Sequence, residues 1–442
     1  MSAGRRTSVR AATRALAVVL WLGAGVGLAH ADDLLAVLAQ ARAADPQFAG
    51  AATALALQDE RVAQARAGLL PQWSLQASER RSAATDVSGA APVRELGSHI
   101  SQVLIDLGQW QTLSAAQIDA SAEAARARAA EQALCARVAR AYLERLSAEA
   151  ALSNVLANEA AFEQQVVQAQ ARFAAGLGAA VDVDQARTFH ALAQGASEAA
   201  RQQVADAGEA LAQLTGQRPV VLKPLVAELP ALLPQPADVD AWVAQALAAN
   251  PQLQAQRLSL QASGQRVSAA GSAHLPTLSA GLDSARRSGS GLSITGEAPR
   301  ANTLSLTLTV PLLAGGATES SRRVAVLQRD QAAQTLEATR RELLRDTRAQ
   351  YQAVQSGVAT LASSRAAVNA ARKALESTRT GQVLGTRSMT DLLLAIQNLS
   401  TAQSALDQAR HRYVLAKLLL LQAAGSLGPV EMAAANQLLG DS

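Results

Sequence analysis

The chain has 442 residues, 49% of them hydrophobic but only 2% aromatic, and its 40 basic and 36 acidic side chains leave a formal net charge of +4. Arg5, Arg6, Arg10 and Arg14 precede the first carboxylate, Asp32, and account for that excess; the remainder is near neutral, which argues against a basic face for nucleic acid. The single Cys135 forbids an internal disulfide, so packing alone must hold the chain.

In chain order, the four arginines lead into an apolar stretch over residues 15–28 and then Ala29-His30-Ala31, the three-part layout of a cleavable secretory signal. A membrane span needs roughly 20 apolar residues, so residues 1–31 read as a removed signal and not a retained anchor. The mature chain then starts near Asp32, with no cysteine there for a lipid anchor. Residues 32–217 read as a first structural repeat. It holds a short helix ending at Asp45-Pro46, a second helical stretch to Leu70-Pro71, and alternating segments at 73–81 and 98–104 about a Gly- and Ser-rich loop at 88–97. A proline-free helical pattern follows from about Trp110 to Ala175, long enough at 1.5 Å per residue to span about 100 Å.

Pro219, Pro224, Pro230, Pro234 and Pro236 make residues 218–237 a connector that cannot be helical. Residues 238–428 then repeat the same order of signals, with Asn250-Pro251, Leu275-Pro276, alternating segments at 278–286 and 303–309 about a loop at 288–299, and long helices again. Gly425, Gly428 and Pro429 stop the last helix and leave residues 429–442 as a tail with no legible chemistry. Val354, Leu361, Val368 and Leu375 recur every seventh residue, as do Leu399, Leu406, Tyr413 and Leu420, which predicts coiled-coil seams. In the first half Leu152, Val155, Phe162, Val166 and Phe173 mark the same kind of seam.

The fold class is therefore mainly α with a small β part: duplicated long-helix coiled-coil hairpins plus four strands. No apolar run after residue 31 is long enough for a membrane helix, so a bilayer could be entered only by a closed barrel. Outer-membrane barrels begin at about eight strands, so four cannot close alone, whereas three copies supply twelve strands over twelve long helices. Trp73 is the one aromatic residue in the four alternating segments, a sparse aromatic belt for such a barrel.

The order of these signals resembles the outer-membrane efflux protein family, the TolC-like channels, over essentially the whole mature chain. The resemblance is carried by the Asp45-Pro46 and Asn250-Pro251 pairs, the Leu-Pro strand entries, and the strand exits at 102–108 and 310–316. It also rests on the paired turns after the long helices: Phe173 to Leu177 with Val181-Asp182-Val183, and Gly385-Thr386-Arg387 with Asp391-Leu392-Leu393. It implies a homotrimer in the outer membrane of a Gram-negative bacterium, with a helical barrel crossing the periplasm to a closed tip. It further implies opening by a periplasmic adaptor and an inner-membrane transporter driven by ATP or protons, and export of proteins or small toxic compounds. The absence of a lipid-attachment cysteine places the chain nearer the TolC branch than the lipoprotein drug-efflux branch.

By the same resemblance the gate would lie at Asp182, Gln382, Arg387 and Asp391. Gln382 stands where the family phrase has Tyr, so a latch to Asp182 would run through an amide. Leu394 stands where some relatives carry a second acid. Three copies of Asp391 would form one acidic ring, attracting cations and raising each carboxyl's pKa in a narrow constriction. That predicts weaker divalent-cation block than in a two-ring relative. Arg387 would brace the closed state through neighbouring carboxylates; helix capping and surface pairing are the plainer roles for all three charged groups.

His99, His190, His274 and His411 lack metal-ligand spacing, and Gly176-Leu177-Gly178 and Gly289-Ser290-Gly291 read as turns and not as nucleotide loops. Neither an enzyme nor a cofactor is expected. Two other readings remain beside the channel: a periplasmic coiled-coil scaffold, which leaves the hairpins unexplained, and a periplasmic adaptor, which has one helical hairpin where this chain has two.

Overall fold

The structure is a computed structural model that describes residues 32–81, 92–218, 221–288 and 300–440. The expected signal over 1–31 lies outside the described residues, as do most of the two expected loops. Among the described residues thirteen elements follow one another, and the order helix, helix, strand, strand, long helix, helix occurs twice. The first pass comprises α1 (Leu34–Ala44), α2 (Pro46–Ala67), β1 (Gln72–Arg80), β2 (Val93–Ile105), α3 (Leu107–Ala174) and α4 (Ala180–Thr215). The second comprises α5 (Val239–Ala249), α6 (Pro251–Ser272), β3 (Thr277–Ser288), β4 (Arg300–Thr309), α7 (Ala317–Val383) and α8 (Met389–Ala423), and α9 (Pro429–Asn436) closes the chain.

Local chemistry sets these bounds. Asp45 ends α1 and caps α2, its Oδ1 accepting from Gln47 N at 3.1 Å, with Pro46 at a position where no N–H is needed. Asn250 repeats the arrangement before Pro251, accepting from Leu253 N at 3.1 Å. Asp106 caps α3 through Gln109 N at 3.1 Å, so the helix starts ahead of the expected Trp110. At 68 residues α3 spans about 100 Å. No helix among the described residues is long and apolar enough to cross a membrane.

The four strands form one antiparallel sheet in the order β1-β2-β3-β4, so β1 and β4 each have one neighbour. β2 begins at Val93, correcting the expected loop at 88–97. Its first residues are claimed by cross-strand charge pairs, Arg94 with Glu79 at 2.9 Å and Glu95 with Arg287 at 3.2 Å. The register places Trp73, Ile100, Leu282 and Leu304 in one row, flanked on the same face by Leu278, Ala280, Leu306 and Leu308. The adjacent row on the other face is Ser74, His99, Asp283 and Thr303, with His99 Nδ1 2.6 Å from Asp283 Oδ1. One face of the sheet is thus apolar yet exposed, Leu304 at 82% and Trp73 at 76%, and the other is polar.

Next to the sheet the helices lie side by side as α2, α3, α6 and α7; at the far end the row is α4, α3, α8 and α7. The largest core lies midway, where α1, the middle of α3, the connector and the end of α8 meet around Tyr142, Leu211, Leu420 and Met432. Tyr142 Oη donates toward Asp32 O at 3.0 Å and Lys223 O at 2.9 Å, tying the segment before α1 to the connector. The tail has more structure than its sequence indicates: α9 buries Met432, and Asn436 Oδ1 accepts from Leu34 N at 2.9 Å. Val354, Leu361 and Val368 are buried in the α7–α8 seam as their spacing predicts, whereas Phe173 is half exposed because α3 ends one residue later.

Candidate functional site

The far end of the helical layer, opposite the sheet, consists of two turns built alike. At Gly176, φ is 72°; its N–H reaches Phe173 O at 2.9 Å, and Leu177 N reaches Arg172 O at 2.9 Å. At Gly385, φ is 75°; its N–H reaches Gln382 O at 3.2 Å, and Thr386 N reaches Gly381 O at 2.8 Å. Each is a left-handed glycine stop that satisfies the last carbonyls of a long helix. Both turns project bulky apolar groups into solvent: Leu177 and Val181 from the first, Val383 and Leu384 from the second. Behind them a small core of Phe162, Ala169, Val183, Met389, Leu392 and Ile396 locks α3, α4 and α8 together, with the Phe162 and Phe189 rings 5.3 Å apart.

The four expected gate residues all sit at this end, but their contacts differ from those expected. Asp391 forms a capping box with Ser388: its carboxylate accepts from Ser388 N at 3.0 Å and Ser388 Oγ at 2.9 Å, while Asp391 N donates to Ser388 Oγ at 3.1 Å. These bonds, aided by the Arg387 charge, hold its carboxyl below the ordinary carboxylate range. In the single chain the lowering follows from the carboxylate being tied to its own helix start; the rise expected of an acidic ring needs the carboxylates of two further copies. Asp182 makes only half of such a box at the start of α4: its carboxylate accepts from Ala179 N at 3.4 Å, and Ala179 has no side-chain oxygen to return a bond.

Gln382 is buried at 5% exposure, and among the described residues no hydrogen bond joins it to Asp182. The expected latch does not form within the chain: the Asp182 carboxylate accepts from Ala179 N at its own helix start, and the Gln382 side chain is buried at the end of α7. The starts of α4 and α8 are instead linked directly, where Thr390 Oγ1 donates to Gln185 Oε1 at 2.6 Å. Sequence reasoning missed this pair, although Thr390 lies in the first turn of α8 and Gln185 in the second turn of α4, the helices that carry the expected acids. Arg387 makes no ion pair among the described residues; its stem lies over Gly381, where a Cβ would come within 2.7 Å of Arg387 Cγ.

Above the tip the seam between α3 and α8 is polar. Asn158 Nδ2 donates to Gln397 Oε1 at 3.2 Å and Asn154 Nδ2 to Asp407 Oδ2 at 2.9 Å, while Asn158 Oδ1 and Gln165 Oε1 are buried with no partner. This contrasts with the apolar α7–α8 seam. No group of His, Cys, Asp and Glu among the described residues has the arrangement of a metal site.

A family model described as outer membrane efflux protein matches residues 37–217 and 242–426 of this architecture. The chain belongs to the outer membrane efflux protein family. Outer membrane protein TolC of Vibrio cholerae is 31% identical over 409 residues, covering 92% of this chain and 93% of that one. The alkaline protease secretion protein AprF of Pseudomonas aeruginosa is 27% identical over 321 residues, 72% of this chain and 67% of its own. The crystal structure of outer membrane protein VceC of Vibrio cholerae superposes with a TM-score of 0.79 at 21% identity, covering 89% of this chain and 96% of that one. Like other members of the outer membrane efflux protein family, the chain is an export channel of the outer membrane that extends into the periplasm, and it is not an enzyme.

Proposed function

We propose that three copies of this chain close a twelve-stranded barrel in the outer membrane on a twelve-helix barrel that crosses the periplasm. Residues 32–217 and 238–428 are the two repeats of each copy, joined by 218–237. The observation that carries this reading is the sheet: two free edges, one apolar exposed face and one polar face. A sheet with open edges cannot sit in lipid, because unpaired backbone groups each cost several kcal/mol there. Joining β4 of one copy to β1 of the next removes every edge and turns the apolar face to lipid and the polar face to the lumen.

The capped turns are the gate. Asp391 sets one acidic ring at the tip; Asp182 and Arg387 flank it, and Gln382 anchors the end of α7. Exposed Leu177, Val181, Val383 and Leu384 give a periplasmic adaptor an apolar surface on which to dock, and an inner-membrane transporter supplies the energy. The cargo is a protein or a small toxic compound. The protease-secretion relative supports the first, and selection rests with the transporter.

Single-channel current from the detergent-extracted protein in a planar bilayer tests the reading. Discrete cation-selective openings are expected, with selectivity and divalent block reduced in Asp391→Ala. Folded protein that never conducts would leave the coiled-coil scaffold as the better account.

A further inference from the structure

The exposed apolar face of the sheet changes character at the end away from the helices. Its cross-strand rows run Leu278 with Leu308, Ala280 with Leu306, Leu282 with Leu304, Ser284 with Asn302, and then Arg286 with Arg300. Arg286 and Arg300 are direct partners across β3 and β4, so two arginine side chains leave the same face from neighbouring positions. Both are exposed, and among the described residues the side chain of neither makes a hydrogen bond or ion pair. Like charges directly opposite each other across a strand pair are destabilising.

The nearest carboxylate on that face is already engaged. Glu79 holds Arg94 at 2.9 Å and Arg81 at 2.7 Å, and Glu95 lies on the other face with Arg287 at 3.2 Å. Among the described residues this end of the sheet carries six arginines, Arg80, Arg81, Arg94, Arg286, Arg287 and Arg300, against two carboxylates, Glu79 and Glu95. A groove of about 510 Å³ runs beside Arg286, lined also by Ala77, Leu96 and Ser288 and by Glu79 and Glu95 with their arginine partners Arg94 and Arg287 close by.

We propose that Arg286 and Arg300 bind the phosphate-bearing head group of an outer-leaflet lipid, with its acyl chains along Leu282, Leu304 and Leu306. The inference rests on the barrel reading above, which turns this face to lipid. An anion between the two guanidinium groups converts a repulsive pair into a chelating one, since each planar fork can take phosphate oxygens bidentately. Ser288, one row further out on the same face, offers a hydroxyl to a larger head group. The apolar rows beneath fit acyl chains, which inorganic phosphate does not have.

The test uses the full-length protein in phosphatidylcholine vesicles, with and without a diphosphorylated glycolipid, and compares the native chain with Arg286→Gln/Arg300→Gln. Native mass spectrometry is expected to show the glycolipid retained by the native chain and retained at least about tenfold less by the variant, the scale of one lost charge-assisted contact. In neutral detergent the variant should be at least as thermally stable as the native chain, because the repulsion is gone, and Arg286→Lys/Arg300→Lys should retain an intermediate amount. Equal retention by native and glutamine variants overturns the proposal. So does an equal stabilisation by inorganic phosphate alone, which would mark a generic anion site, and so does a variant less stable in neutral detergent, which would assign the arginines to a carboxylate of a second copy. Single-channel current on the same samples separates the two readings: a conducting native chain that retains no glycolipid defeats the lipid site only, and a native chain that neither inserts nor conducts defeats the barrel.

Discussion

Gly425 closes α8 with φ of 76°, and a Cβ there would lie 2.7 Å from the carbonyl carbon and oxygen of Ala249. Gly425→Ala meets both a left-handed backbone, worth roughly 1–2 kcal/mol, and a clash with backbone that cannot step aside; a lowered thermal unfolding midpoint is expected. His411 is buried, with Nδ1 2.7 Å from Asp407 O, and burial holds its pKa below the usual imidazole value. A histidine with a depressed folded pKa is neutral in the fold and gains a proton on unfolding. Its contribution to stability is therefore present above the unfolded value of about 6.5 and is lost as pH falls toward the folded one. Thermal unfolding between pH 7 and 5 should show that loss in the native chain and a flatter profile in His411→Gln. Asp391 has the carboxylate form of the same sign, its cap present above the unfolded pKa and lost as pH falls through the lowered one. Faster hydrogen exchange over residues 389–392 is expected in Asp391→Ala, and unchanged exchange would count against the capping role.

At the scale of elements, two links hold the middle of the molecule together. Arg137 on α3 bonds Asp45, the buried cap between α1 and α2. Removing the arginine leaves that carboxylate buried and unpaired, at a cost of about 3–5 kcal/mol. Arg137→Met is therefore expected to lower the denaturation midpoint more than any exposed i,i+4 arginine on α7, where surface pairs contribute at most about 1 kcal/mol. Tyr142 binds the carbonyls of Asp32 and Lys223. Burial pushes its phenol far up, so it remains a neutral donor at any working pH. Tyr142→Phe leaves those carbonyls without that donor and should cost about 1–3 kcal/mol in equilibrium unfolding.

Across the whole molecule the two kinds of seam differ in chemistry. Within α7–α8 the contacts are apolar at seven-residue spacing, whereas between its two apolar cores α3 meets α8 through Asn154 and Asn158, and the oxygens of Asn158 and of Gln165 further along α3 find no partner among the described residues. Replacing Asn158 and Gln165 together by leucine removes those unmet groups and should raise stability by about 1 kcal/mol or more. A lowered melting midpoint in that double variant would show that water or a second copy satisfies them in the assembled channel.

Much of the architecture was legible in the residues alone. Asp45-Pro46 and Asn250-Pro251 punctuate helices because proline lacks an N–H and a short polar side chain caps, both local effects. Leu304, Leu306 and Leu308 show strand period two, and Val354, Leu361 and Val368 show the seam, because side-chain direction follows from backbone period. The expected gate positions also fell at one end, since two helix turns of similar sequence fold alike. What the chain order could not show was which distant groups meet. Thr390 with Gln185, Asn436 with Leu34, and Arg286 with Arg300 depend on how separate elements dock and in what register. Sequence by itself determined the helices, the strands and their punctuation, whose physics is local; only the tertiary structure decided the pairings, because they are set by packing between segments far apart in the chain.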